Sequence, residues 1–178
     1  AYDRELQKTH NSSRYYDMFV MKMNSSGDKI HYSTYIGDNY SESRPHIAID
    51  EDLNPIVCGN TNSNTFPVTA DAIDASFNGG ENDVVLFKLN DNGSKLLYST
   101  YFGGDGFDEV GDMELVEDHL VYFVGTTNST DLQTTSGCFD NDYTYNKTDE
   151  NPYIVCLNLS SNSIQTCSYL SLGSADAL

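Results

Sequence analysis

Between Asp83 and Asn90 almost every position is apolar, with Val85, Phe87 and Leu89 on one side of an extended chain and Val84 and Leu86 on the other. A strand wetted on one face alternates apolar with polar, so this run predicts a strand covered by other layers on both sides. Asn90-Asp-Asn-Gly93 follows as a hairpin signal, because Asn and Gly tolerate the positive φ of tight turns. The return strand is then Lys95 to Phe102. Two shorter runs, His46–Asp50 and Pro55–Gly59, flank the turn-like Glu51-Asp-Leu-Asn54, and Asp112–Val116 and Leu120–Val124 are their later counterparts. No window carries an apolar stripe at helical spacing, so the pattern predicts an all-β chain.

The pattern recurs. Displaced by 66 positions, Asp17–Gly37 aligns with Asp83–Gly103, and ten of the 21 positions are identical where average residue usage would give about one. At the same offset Gly59-Asn-Thr-Asn-Ser63 meets Gly125-Thr-Thr-Asn-Ser129, and Asp74 meets Asp140. A weaker third copy begins near Asn151, where Tyr153–Asn158 and Ile164–Leu170 take the two hairpin arms at an offset of 68. Four short strands per unit, apolar on both faces, are what the blades of a β-propeller require, because each blade is sandwiched between two others. A β-solenoid is the rival, although its coils are usually much shorter and lack hairpin turns at fixed offsets. The propeller reading divides the chain into 1–44, the outer two strands of one blade; 45–110, a full blade; and 111–178, another blade with the start of the next. Rings usually close with about 4–8 blades, so the expectation is a fragment of a longer polypeptide.

The repeat carries a resemblance. Asp83-x-Val-x-x-Lys-Leu-Asn-x-x-Gly93, then Leu97-Tyr-Ser-Thr-Tyr-Phe-Gly-Gly104, then Gly125-Thr-Thr-Asn-Ser129, resembles the SBBP β-propeller repeat of bacterial and archaeal surface proteins. Asn64–Asp74 is similar to the segment that links strand pairs in that family. Leu132-Gln133 departs from the pattern where Phe66-Pro67 follows it. The resemblance implies a fold and a surface location, and a strand phase with His46–Asp50 innermost and Lys95–Phe102 outermost. It implies no catalytic residue.

Charge narrows the partners. The 27 acidic and 9 basic residues give a formal charge of −18, and no Lys/Arg cluster is present to neutralise phosphates or anionic lipids. Nucleic acid is excluded as a partner on this ground, and a helical membrane span is excluded because the longest apolar runs fall far short of the ~18 residues it needs. With 38% hydrophobic residues and 13 Tyr the chain has enough apolar surface to fold.

Compartment is read from the sequons and the cysteines. Seven Asn-x-Ser/Thr sites stand at Asn11, Asn24, Asn39, Asn92, Asn128, Asn146 and Asn158, against roughly three expected in random order. Asn24, Asn92 and Asn158 fall at or beside hairpin turns, where a glycan would not disturb packing. The competing reading is that Asn, Ser and Thr simply favour turns. A turn centred on Ser160-Ser-Asn-Ser163 sets Cys156 opposite Cys167, close enough for a cross-strand disulfide. Together these features point to an oxidising, extracellular or cell-surface setting.

Candidate chemistry is sparse. His10, His31, His46 and His119 are scattered over different phases of the repeat, with no partner at metal-ligand spacing. The loop from Gly103 to Asp112 gathers Asp105, Asp108, Glu109 and Asp112, hard oxygen ligands of the kind calcium takes. The alternative is a solvated acidic loop. No cofactor is implied beyond that ion. The expected function is a non-catalytic, glycosylated extracellular scaffold whose partners are the rest of its own propeller and other surface proteins or glycans. A propeller enzyme acting on polysaccharide and a calcium-stiffened assembly subunit are the alternatives.

Overall fold

The computed structural model describes residues 15–38, 40–143 and 150–170. Among them are ten strands and no helix. Strands β1 (Met18–Met23) and β2 (Ile30–Ile36) pair as a hairpin; β3 (Glu42–Ile49), β4 (Pro55–Thr61), β5 (Asp83–Leu89) and β6 (Leu96–Phe102) form a four-stranded sheet. A second four-stranded sheet holds β7 (Asp108–Val116), β8 (Leu120–Thr127), β9 (Asn151–Asn158) and β10 (Ser163–Tyr169). Every pairing is antiparallel and each sheet meanders in chain order.

The two-sided pattern of β5 places it in the middle of the stack. Val84 and Leu86 pack with Val110 of β7, Phe123 of β8 and Val155 of β9. Val85, Phe87 and Leu89 pack with Met18, Val20 and Ile36 of the first hairpin. All five β5 side chains are fully buried, each contributing roughly 1.5–3 kcal/mol of transfer free energy. Aromatic rings close the gap between the four-stranded sheets: Phe102 stacks on Tyr153 at 5.7 Å and meets Phe123 edge-on at 5.2 Å.

Strands β3 and β7 begin earlier than the sequence pattern predicts. Pro45 has no N–H to give a ladder, yet two residues of β3 bulge against one of β4 between the Ser43↔Asn60 and His46↔Cys58 pairs, so the strand runs on through Pro45. The same bulge recurs 66 residues on, where Gly111 is extra between Val110↔Gly125 and Asp112↔Val124. The four-stranded sheets therefore start at Glu42 and Asp108.

A second repeating bulge corrects the disulfide expectation. In each hairpin one residue of the return strand drops out of the ladder: His31, Leu97 and Gln165. After Gln165 the register slips by one, so Cys156 faces Thr166 and Cys167 faces Val155. A one-residue slip turns side chains to the other face of a sheet. Cys167 thus points into the inter-sheet core, Cys156 away from it, and all four cysteines are free.

The last strand of each four-stranded sheet would be a bare edge, but the segment joining the strand pairs is strapped along it. Thr69 N–H donates to Ser99 O, Ser99 N–H to Thr69 Oγ1, and Tyr101 N–H to Asp74 O. In the next unit Thr135, Cys167, Tyr169 and Asp140 make the same bonds. The tyrosine hydroxyl completes each strap. Tyr101 Oη donates to Ser63 O and accepts from Phe66 N–H, while Tyr169 Oη donates to Ser129 O and accepts from Leu132 N–H. The strap uses the backbone of Phe66 and Leu132, which is why the side chain can differ.

Candidate functional site

Acidic side chains gather at one end of the stack. In the middle sheet Glu42, Thr61 and Asp83 are consecutive across the ladder, and in the last sheet Asp108, Thr127 and Asn151 take the equivalent row. Gly103, just past β6, lies where the rows meet. A Cβ on Gly103 would stand 2.7 Å from Asp83 Oδ1 and 2.9 Å from Asp108 Oδ2. Glycine is needed there because any side chain would displace one carboxylate or the other. Gly37 holds the equivalent place one repeat earlier, between Asp17 and Glu42.

These carboxyls are deeply buried and only half satisfied. Asp83, fully buried, accepts at Oδ2 from Asn78 N–H (2.7 Å), while its Oδ1 meets no donor. Asp108, also fully buried, accepts at Oδ2 from Gly104 N–H (2.8 Å) and Ser129 Oγ (2.7 Å), while its Oδ1 meets none. Glu42 accepts at Oε1 from Thr61 Oγ1 (2.8 Å), and its Oε2 meets none. Burial pushes the Asp83 carboxyl up to about 8, and Asp108, Asp74 and Asp131 add to the rise. Burial likewise pushes Glu42 up to about 8, with Asp17 and Asp38 contributing. Asp108 is raised for the same reason, with Asp131 contributing.

The proposed calcium ligands are not brought together. Asp108 lies in the buried row just described. Glu109 belongs to a different contact, pairing with Arg44 at 2.7 Å. Asp112 is exposed, 3.4 Å from His46 Nδ1. Asp105 caps the turn at Thr130, accepting from its N–H. Successive residues of an extended chain point to opposite sides, so a run of acids along one does not converge. Among the described residues no group of three or more His, Cys, Asp or Glu side chains is placed to hold a metal ion. Asp17, Glu42 and Asp83 were missed by the sequence reading. Their signal lay in the repeat itself, where Asp17 matches Asp83 and acidic Glu42 matches acidic Asp108.

Beside the buried row is an open cleft of about 380 Å3, with Glu81, Asp105 and Glu150 among its lining residues. Of the sequons, Asn92 is exposed in its turn. Asn24 and Asn128 are partly buried and tied into local hydrogen bonds, Asn24 Nδ2 to Ser26 and Asp28, and Asn128 Oδ1 to Phe107 N–H. Asn158 is partly buried and accepts from Ser160 and Ser161. Asn11, Asn39 and Asn146 lie outside the described residues.

No family model matches the chain, and no curated protein matches it.

Proposed function

We propose that this chain is a run of wedges from a β-propeller of the SBBP type, acting at the cell exterior as a non-catalytic scaffold rather than as an enzyme. The observation that carries this reading is a match between what the outer sheets expose and what the middle sheet buries. Phe19, Met21 and Met23 are 60%, 40% and 42% exposed on the first hairpin, whereas Val85, Phe87 and Leu89, their equivalents 66 positions on, are 0% exposed. Tyr122 and Val124 are 36% and 39% exposed on the last sheet, whereas Ile56 and Cys58 are 0% exposed. Each outer face thus presents apolar positions that another copy of the same sheet would cover. Two-sided strands, short straps and repeated bulges support a stack of equal wedges. The acidic surface and exposed Asn92 support an exterior, glycosylated setting.

Solution scattering and crystallography on the polypeptide carrying further repeats test the architecture; an open, linear stack there would overturn the ring. Binding of the same polypeptide to envelope polysaccharide or surface proteins tests the scaffold, and turnover without stable binding counts against it. The polysaccharide-active alternative has one feature in its favour, the acidic cleft. Glycan cleavage abolished by Asp105→Asn would establish that alternative.

A further inference from the structure

We propose that the junction between the two four-stranded sheets is locked by a proton, retained by Asp83 and Asp108 where their carboxyls converge on Gly103. The inference does not depend on ring closure, because that junction lies within the chain.

The geometry leaves little else. Asp83 opens β5 of one sheet and Asp108 opens β7 of the other, both with no exposed surface and each with one oxygen lacking a donor. Two ionised carboxylates facing each other out of water would repel strongly at low effective dielectric, and buried charges without a counter-ion take up a proton instead. Among the described residues no base acts on Asp83 or Asp108. The charged groups acting on Asp83 are Asp108 from β7 and Asp74 and Asp131 from the two straps, with Asn78 N–H as donor. Asp108 faces Asp131, with Gly104 N–H and the Thr127 and Ser129 hydroxyls as its polar neighbours. The bases fixed in ion pairs lie elsewhere, Lys88 on Asp50 and Arg44 on Glu109. A proton offers the pair one donor and halves its charge without needing space for an ion.

The sign follows from linkage. The folded Asp83 carboxyl holds the proton up to about 8, whereas an unfolded one releases it near ~4, so this contribution is complete below ~4 and lost as pH rises through about 8. The junction tightens toward acid and loosens toward alkali.

Carbon-13 carboxyl NMR of the labelled 178-residue chain, titrated from pH 3 to pH 10, tests this directly. One carboxyl of the Asp83/Asp108 pair is expected to titrate more than about two pH units above an ordinary Asp. If every carboxyl titrates below about pH 5.5, the proposal is wrong. In Asp83→Asn the amide supplies the missing donor, and the Asp108 midpoint is expected to fall by more than one unit; no movement overturns the coupling. Thermal unfolding gives a second reading: Tm of the unmodified chain is expected to drop by about 5 °C or more between pH 6 and pH 9.5, and the drop to shrink in Asp83→Asn or Asp108→Asn. A flat profile counts against the proposal. So does recovery of Tm at pH 9.5 by calcium chloride alone, which would make the pair a cation site.

Discussion

Tyr101 Oη donates to the carbonyl oxygen of Ser63, 38 residues earlier in the chain, at 2.9 Å. The Tyr101 hydroxyl in turn accepts from Phe66 N–H at 2.8 Å, and Tyr169 repeats the arrangement on Ser129 and Leu132. Replacing Tyr101 by Phe keeps the ring buried against Phe66 and Phe77 but leaves a buried amide and carbonyl without their partner. The expected cost is about 1–3 kcal/mol in urea unfolding, and a similar one for Tyr169→Phe. A loss below ~0.5 kcal/mol in both would show that the strap is held by its backbone bonds alone.

Gly103→Ala places a methyl group against two carboxylates, whereas Gly111→Ala meets nothing nearer than Val124 O at 3.5 Å. Overpacking of that kind costs roughly 1–3 kcal/mol. Gly103→Ala is therefore expected to lower stability by at least ~2 kcal/mol while Gly111→Ala changes it by less than half as much. Denaturant midpoints of the two variants, compared at pH 7, decide the point.

Cysteine reactivity checks the register of the last hairpin. Burial pushes the Cys167 thiol up to about 12 and raises that of Cys58 as well, while Cys138 is partly exposed. Thiolates, not thiols, react with alkylating agents. Iodoacetamide at pH 8 is expected to modify Cys138 first and to reach Cys58 and Cys167 only on unfolding, as peptide mass spectrometry would show. A peptide linking Cys156 to Cys167 after mild oxidation would contradict the slip at Gln165.

Lys88 Nζ lies 2.6 Å from Asp50 Oδ2, at the far end of β5 from the paired acids. Burial alone would raise the Asp50 carboxyl, but Lys88 and the Asn54 donors prevail and hold it below the usual carboxylate range. Its folded pKa is depressed, so this stabilisation is present above the unfolded value and lost as pH falls through the folded one. Lys88→Met removes the cation from a buried anion and is expected to cost about 3 kcal/mol at pH 7, less at pH 3. Equal losses at both pH values would mean that the lysine acts through its methylene chain.

Much of the architecture was legible in the residues because it rests on local rules. The apolar run from Val84 to Leu89 needed cover on both faces and has it. Asn90–Gly93 signalled a hairpin, and the 66-residue offset gave the order of the strands. Less legible was the start of β3, placed at His46 by the apolar run, since Glu42 and Ser43 join the ladder only when β4 is present to accept a bulge at Arg44-Pro45. The cysteines were misplaced for a related reason: symmetric counting about Ser160–Ser163 assumes an unbroken ladder, and Gln165 breaks it.

For this protein the chain alone determined which segments become strands, how many make a unit and which residues turn inward, because alternation and turn chemistry act over a few residues. Only tertiary structure decided which acids meet. Asp83 and Asp108 are separated by the whole β5–β6 hairpin and a loop and come face to face because two sheets stack over Gly103. Glu109, next in sequence to one of them, pairs instead with Arg44. Such apposition depends on bulges, sheet stacking and the missing Cβ of one glycine, which act between strands distant in the chain.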